Sequence, residues 1–408
     1  MDTNILNSGI LGFSLVPESD IVLSTHISHA MLGAITRDMI VLKTPLGKLS
    51  GDGMFMTVGG SGTHKTLPLL KSEYIARDLN IIVPSKFTTE SLGEYFYKVD
   101  DKKQYVHNYY GIIYWDEASK YFSESGEKKF LNGMIEAMSS IHNHILPYEY
   151  YRTYSTGKPQ NPYVSLLGNM VPHYLNKIPE YFWNQGLAGR IMWRYIPPSK
   201  PLQNTSWLDF DSSDKSRNNL DMFSDTLKNI NEIICNLKKP MIVTVDEEAD
   251  QVIQEFKYNI EMEWYNNYIE NPFDIDFAYK KRITELLGKT SLRFGIGRYY
   301  AEHTKFDGFE KITKNDVDFA LEIVNDSIKD LKTIFNFVDL SKLSKEEIHK
   351  RNKRNAILRY LGQGFTYREV QQKVSNYKDG TPFKDHIQEL LSNKLIELKD
   401  KEGHYNVL

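Results

Sequence analysis

The stretch from Met54 to Thr66 constrains the fold more than any other part of the chain. Met54-Phe55-Met56-Thr57-Val58 is short, apolar and partly β-branched, the pattern of a buried strand, and a helical pattern runs on from Thr66 to about residue 80. Between them stands Gly59-Gly60-Ser61-Gly62-Thr63-His64-Lys65-Thr66. Strand, glycine loop and helix in that order open a parallel α/β sheet. The eight loop residues approximate GxxxxGK[ST]. Glycines there let backbone N–H groups turn toward a phosphate, Lys65 reaches the β- and γ-phosphates, and the Thr66 hydroxyl binds Mg²⁺. ATP and Mg²⁺ are the expected ligands of Gly59, Gly60, Ser61, Gly62, Thr63, His64, Lys65 and Thr66. His64 stands where the motif has its last glycine.

Three further segments fit the same chemistry. A second apolar run, Gly111-Ile112-Ile113-Tyr114-Trp115, ends in Asp116-Glu117. Asp116 would hold Mg²⁺ through water, and Glu117 would polarise the attacking water. A third strand, 163–167, ends in Gly168-Asn169, where the Asn169 carboxamide would orient that water; the plain alternative is a turn asparagine. Gly186-Leu187-Ala188-Gly189-Arg190 leads into a strand at Ile191-Met192-Trp193. Arg190 would offset charge in a neighbouring subunit's site, a contribution of about 10³–10⁵ in rate where measured; otherwise it is a surface arginine.

Residues 218–340 read as mostly helical. The last part reads as a basic helix (345–361), helices at 367–374 and 382–393, and a β-hairpin at 395–408, the winged-helix pattern. The expected domains are 1–205, 206–340 and 341–408. The formal net charge of −3 is unevenly shared: residues 342–408 hold 14 Lys+Arg against 9 Asp+Glu, while the rest holds 36 against 44. A near-neutral total therefore does not exclude nucleic acid. Candidate DNA contacts in this tail are Lys384, with His386 and Gln388, on the presumed recognition helix, and Lys399, Lys401 and His404 in the wing. Two polar insertions add basic residues beside aromatics: Lys98, Lys102 and Lys103 with Tyr105 and His107, then Arg152 and Lys158. His142 and His144 read as polar surface rather than a metal site. One cysteine, Cys235, excludes an internal disulfide. No apolar run is long enough for a membrane span, and the first twenty residues make a poor secretory signal, so a cytoplasmic protein is expected.

Residues 27–198 resemble the P-loop family found beside primases in plasmids, phages and integrated elements, a relative of the minichromosome maintenance (MCM) branch of AAA+ helicases. The resemblance is carried by Gly59 to Thr66, by Pro84-Ser85-Lys86-Phe87-Thr88-Thr89-Glu90-Ser91-Leu92 and by Trp115-Asp116-Glu117. It continues in the run from Asn161-Pro162 to Asn169 and in the segment ending at Arg190. Residues 289–301, followed by 312–317, resemble the helical lid, which makes Arg293 (or Arg282) a sensor contact to the nucleotide. The resemblance implies an α/β fold: a P-loop AAA+ ATPase core with a parallel sheet, a helical lid and a C-terminal winged helix. It further implies a ring-forming homo-oligomer, expected to be a hexamer, acting as an ATP-dependent DNA helicase or translocase in replication of a mobile genetic element. Its partners would be single-stranded or forked duplex DNA and a primase or separate DNA-binding protein. The glycine loop at residue 59 leaves almost no N-terminal DNA-binding domain. That departure, with His64, keeps open an ATP-switched initiator, loader or transposition regulator that does not unwind DNA, and also a catalytically silent loop.

Overall fold

The computed structural model describes residues 5–14, 21–45, 47–60, 63, 65–85, 96, 109–122, 128–145, 161–178, 182–183, 187–197, 210–270, 282–342, 353, 356–357, 360–361, 364–375, 382–392, 396–399 and 404–407. The chain forms two compact units, Met1–Phe335 and Asn336–Leu408.

The first unit is mixed α/β. It begins with helices α1 (Ile5–Ser14) and α2 (Ile21–Thr36) and a hairpin, β1 (Ile40–Thr44) and β2 (Gly47–Ser50). Next come β3 (Met54–Gly59), α3 (Thr66–Asp78), β4 (Tyr110–Trp115), α4 (Ser119–Phe122), α5 (Lys128–His142), β5 (Tyr163–Met170) and β6 (Ile191–Ile196). The unit closes with α6 (Phe210–Asn236), β7 (Met241–Val245), α7 (Glu247–Glu270), α8 (Ile283–His303), β8 (Lys311–Ile312) and α9 (Lys314–Lys342), whose end runs past residue 335.

The central sheet has the order β4-β5-β3-β6, and its three pairings are parallel. A parallel bridge from Ile82 to Ile112 extends it beyond β4. All six residues of β3 are buried, as are the last five of β4, because helices cover both faces of a parallel sheet. This explains why both strands read as unbroken apolar runs. The order matters for function. β5 lies between β3 and β4, while β6 takes the other side of β3, so the strand order reverses around β3. In open α/β sheets, ligands bind beyond the carboxyl ends of the strands at such a switch point.

A second sheet, ordered β2-β1-β7-β8, was not expected. β1 pairs in parallel with β7 two hundred residues later, with Val41 opposite Ile242. The region expected to be helical thus supplies two strands, and no boundary between compact units falls at 205/206. α6 instead packs on α1 and α2: Phe223 meets Phe13 edge-on at 5.9 Å. Gly9 allows the close approach, since a Cβ there would lie 2.6 Å from Ser28 Oγ and 2.7 Å from the Phe223 ring. Among the described residues no helix is long and apolar enough to cross a membrane.

The second unit holds α10 (Tyr367–Lys373), α11 (Phe383–Ser392) and the antiparallel pair β9 (Ile396–Leu398) and β10 (Tyr405–Val407). Thr366 caps α10 in a reciprocal capping box with Glu369. Ile357, Leu361, Val370, Val374, Ile387, Leu390 and Ile396 form its core. That core draws on α10, α11 and β9, and Tyr405 of β10 packs against it, so the short hairpin is packed against the helices rather than hanging free.

Candidate functional site

Parallel β3, β5 and β4 end side by side, with Thr57 opposite Asn169 and Gly168 opposite Trp115. The residues that follow each strand therefore meet at one edge. Within the glycine loop, the Lys65 ammonium donates to the carbonyls of Gly59 (2.6 Å) and Gly60 (2.9 Å) and to Thr63 Oγ1 (3.1 Å). The Thr63 N–H and hydroxyl both donate back to Gly60 O, at 3.3 and 2.9 Å. At Gly59 a Cβ would lie 2.8 Å from Thr63 Oγ1 and 3.2 Å from Ile196, so the turn requires glycine. A Cβ on Gly60 would meet nothing within 4 Å, so the loop has an open face there. Ser61, Gly62 and His64 lie outside the described residues.

α3 starts at Thr66 with no side-chain cap, leaving its first backbone N–H groups directed at the loop. The Thr66 hydroxyl donates to Asp116 Oδ1 at 3.2 Å. Glu117 accepts a hydrogen bond from the Ser119 hydroxyl. Burial lowers the pKa of Lys65, and the carboxylates of Glu117 and Asp116 oppose that shift. Asn169 is fully buried. Its Nδ2 donates to Lys65 O at 3.4 Å and its backbone carbonyl accepts from Ala118 N–H at 2.8 Å, so it bridges the loop and the acidic turn. Its Oδ1 has no hydrogen-bond partner. A buried orphan acceptor costs about 1–3 kcal/mol and implies a ligand or water partner. One ammonium, one hydroxyl, two carboxylates and a carboxamide with a spare acceptor thus converge at the switch point.

Other expected site residues fall elsewhere. Arg190 ends the 3-10 turn Ala188–Arg190 just before β6, at the opposite edge of the sheet, about 17–20 Å from the strand ends by strand rise. It therefore does not reach the glycine loop of its own chain. It is 8 % exposed; burial and the Arg282 charge lower its pKa, and Glu285 opposes them. Arg293 does not face the loop. It is 2 % exposed and donates to Gly51 O (2.8 Å), His29 Nδ1 (3.0 Å) and Thr290 Oγ1 (2.8 Å), so its guanidinium is occupied by the core and the expected sensor contact is not made. Arg282 is partly exposed and pairs with Glu285 at 3.2 Å. In the second unit Lys384, Gln388 and Lys399 are exposed, but His386 is fully buried and is no base contact. Lys98, Lys102, Lys103, Arg152, Lys158 and Lys401 lie outside the described residues.

A buried polar cluster at that opposite edge escaped the sequence. Asp52, just before β3, and Lys289 of α8 are each 1 % exposed and lie 3.6 Å apart. Asp52 also meets His144 Nε2 at 3.0 Å and accepts from the Ser50 hydroxyl. Burial pushes the Asp52 carboxyl up, but Lys289, His144 and Ser50 outweigh it and hold the pKa well below the usual range. His142 is not polar surface: it is 3 % exposed, 3.6 Å from Glu285, and burial holds its pKa well below normal. The contacts join residues 52, 144 and 289, so no local pattern could have revealed them. Among the described residues no group of three or more His, Cys, Asp or Glu side chains is placed to hold a metal ion. No protein-family model and no curated protein matches the chain.

Proposed function

We propose that the chain is an ATPase that couples hydrolysis to movement along DNA, a ring-forming helicase or translocase serving replication of a mobile genetic element. The observation that carries this reading is the convergence of Lys65, Thr66, Asp116, Glu117 and Asn169 at the switch point of a parallel sheet. In this reading the first unit is an AAA+ core with its helical lid, and the second a winged helix.

The unpartnered Asn169 Oδ1 and the open face at Gly60 fit a phosphate chain with its metal. Thr66 and Asp116 would hold Mg²⁺, which would neutralise phosphate charge. Lys65 exchanges its loop carbonyls for phosphate oxygens, a charge-assisted contact. Glu117 takes the proton of the attacking water, with Ser119 fixing the carboxylate. Asn169 orients that water through its free acceptor. Arg190 completes the site of the next protomer, which makes a homo-oligomer, a hexamer by resemblance, the working form.

The test is strand displacement on a forked duplex with ATP, set beside Glu117→Gln. Displacement by the wild type and none by the variant is expected. DNA-stimulated hydrolysis without displacement would replace this reading with an ATP-switched initiator, loader or transposition regulator.

A further inference from the structure

At the edge of the sheet away from the glycine loop, β4 and β5 begin side by side with Tyr110 opposite Tyr163. The Tyr163 N–H donates to Tyr109 O at 2.6 Å. Three tyrosine rings gather there: Tyr109 lies 5.4 Å from Tyr110 and 6.4 Å from Tyr163, both edge-on. His144 stacks on Tyr163 at 4.2 Å and 28°. The Arg37 guanidinium lies 4.0 Å over Tyr110 and 5.7 Å from the Tyr109 ring centre. All three tyrosines are half-buried, whereas Tyr114 and Trp115 at the other end of β4 are buried.

From this cluster we infer a binding surface for unpaired bases of single-stranded DNA, formed by Tyr109, Tyr110 and Tyr163 with His144 and Arg37. The inference rests on the reading of the chain as a DNA-acting ATPase and adds a named contact surface to it. Tyrosine suits a surface that is apolar on its face and polar at its tip. Stacking on such faces is sequence-tolerant and needs a base free of its duplex partner. Burial raises the pKa of all three phenols, that of Tyr163 to about 12, so they stay neutral beside a polyanion. Arg37 is 6 % exposed, with its guanidinium held against the Tyr110 ring and Cys235 Sγ, so the cluster offers rings for bases more than a free cation for phosphates. The sequence places this surface where two basic insertions re-enter the sheet: Lys102 and Lys103 precede Tyr109, and Arg152 and Lys158 precede Tyr163. It lies about 17 Å from the nucleotide edge, the rise of β4, so DNA and ATP would not compete.

The experiment is oligo-dT binding by the full chain, measured for wild type, for Tyr109 and Tyr163 replaced singly by leucine, and for the same positions replaced by phenylalanine. Leucine keeps apolar bulk and loses the π face. Each leucine variant should bind about 10-fold or more weakly, while phenylalanine stays within about twofold of wild type. ATP affinity should be the same throughout, which also reports that the variants fold. Photocrosslinking of iodouracil-substituted oligo-dT should label Tyr109, Tyr110 or Tyr163. Wild-type affinity in both leucine variants, or crosslinks confined to other residues, would overturn the inference while leaving the ATPase reading intact. Failure of the wild type to bind oligo-dT at all would remove the DNA half of that reading with it.

Discussion

The Thr66 hydroxyl donates to Asp116 Oδ1 across 3.2 Å, joining two residues fifty positions apart in sequence. One starts the helix after the glycine loop and the other directly follows β4. Their contact ties α3 to β4 over the intervening β5. In an ATPase these are the two groups that must face one metal ion.

Replacing Lys65 by alanine removes the only described ammonium inside the loop. Charged hydrogen bonds contribute about 1.5–3 kcal/mol each, so ATP affinity should fall about 10- to 100-fold. Isothermal titration with ATP and Mg²⁺ measures it. Thr66→Ala should bind ATP more weakly with Mg²⁺ and equally well without it; an equal loss in both conditions would remove Thr66 from the metal site.

Asn169→Ala separates chemistry from binding. The side chain donates only one long hydrogen bond, to Lys65 O, and carries an unpaired acceptor, so truncation loses one contact and removes one orphan. The net stability change should stay within about 1 kcal/mol. If the free acceptor orients the water, turnover should fall about 10²–10³-fold with ATP affinity held. Unchanged turnover would assign Asn169 to the fold alone.

The pair at the opposite edge governs stability instead. Lys289→Met would leave the buried Asp52 carboxylate without its cation, a loss of about 3–5 kcal/mol. Adding Asp52→Asn should recover a large part of it. Urea unfolding of the two single variants and the double gives the coupling directly. Simple addition of the two losses would show that the pair does not interact.

Stability should also fall as the solution is acidified below about pH 6.5. Burial, first among the causes, holds His26, His29 and His142 neutral in the folded state, well below their usual pKa. The unfolded chain takes up those protons as pH drops through about 6.5 and the folded chain does not, so acid favours unfolding by up to about 1.4 kcal/mol per pH unit for each histidine. Asp52, depressed in the folded state, acts in the same direction but only below about pH 4. Urea midpoints compared at pH 7.5 and pH 5.5 check this. A flat midpoint would contradict it, and His142→Gln should reduce the slope.

The sequence revealed the main sheet and its chemistry because the signals there are local. Met54 to Val58 is an apolar run closed by glycines, and Asp116-Glu117 directly follows another. The helices at 66–78 and 383–392 follow from apolar spacing and lie nearly at their expected limits. The lead-in carried no comparable signal: residues 5–14 form α1. β7 was absorbed into a helical region, because five residues, Met241 to Val245, become a strand only through pairing with β1. Arg293 shows the same limit at a site. Its place on a lid-like helix suggested a nucleotide contact, and only the fold puts Gly51 O and His29 within its reach. The strongest local rule had its own blind spot at His142, where two nearby histidines looked like surface and one is core.

Phosphate release from ATP and Mg²⁺ by the full chain, with nucleotide affinity measured in parallel and Glu117→Gln as the comparison, tests the central claim most directly. The expected result is turnover by the wild type, and a Glu117→Gln variant that binds ATP as well but turns over about 10²–10⁴-fold more slowly. A wild-type chain that fails to bind ATP, or a Glu117→Gln variant that hydrolyses it at the wild-type rate, would contradict the account.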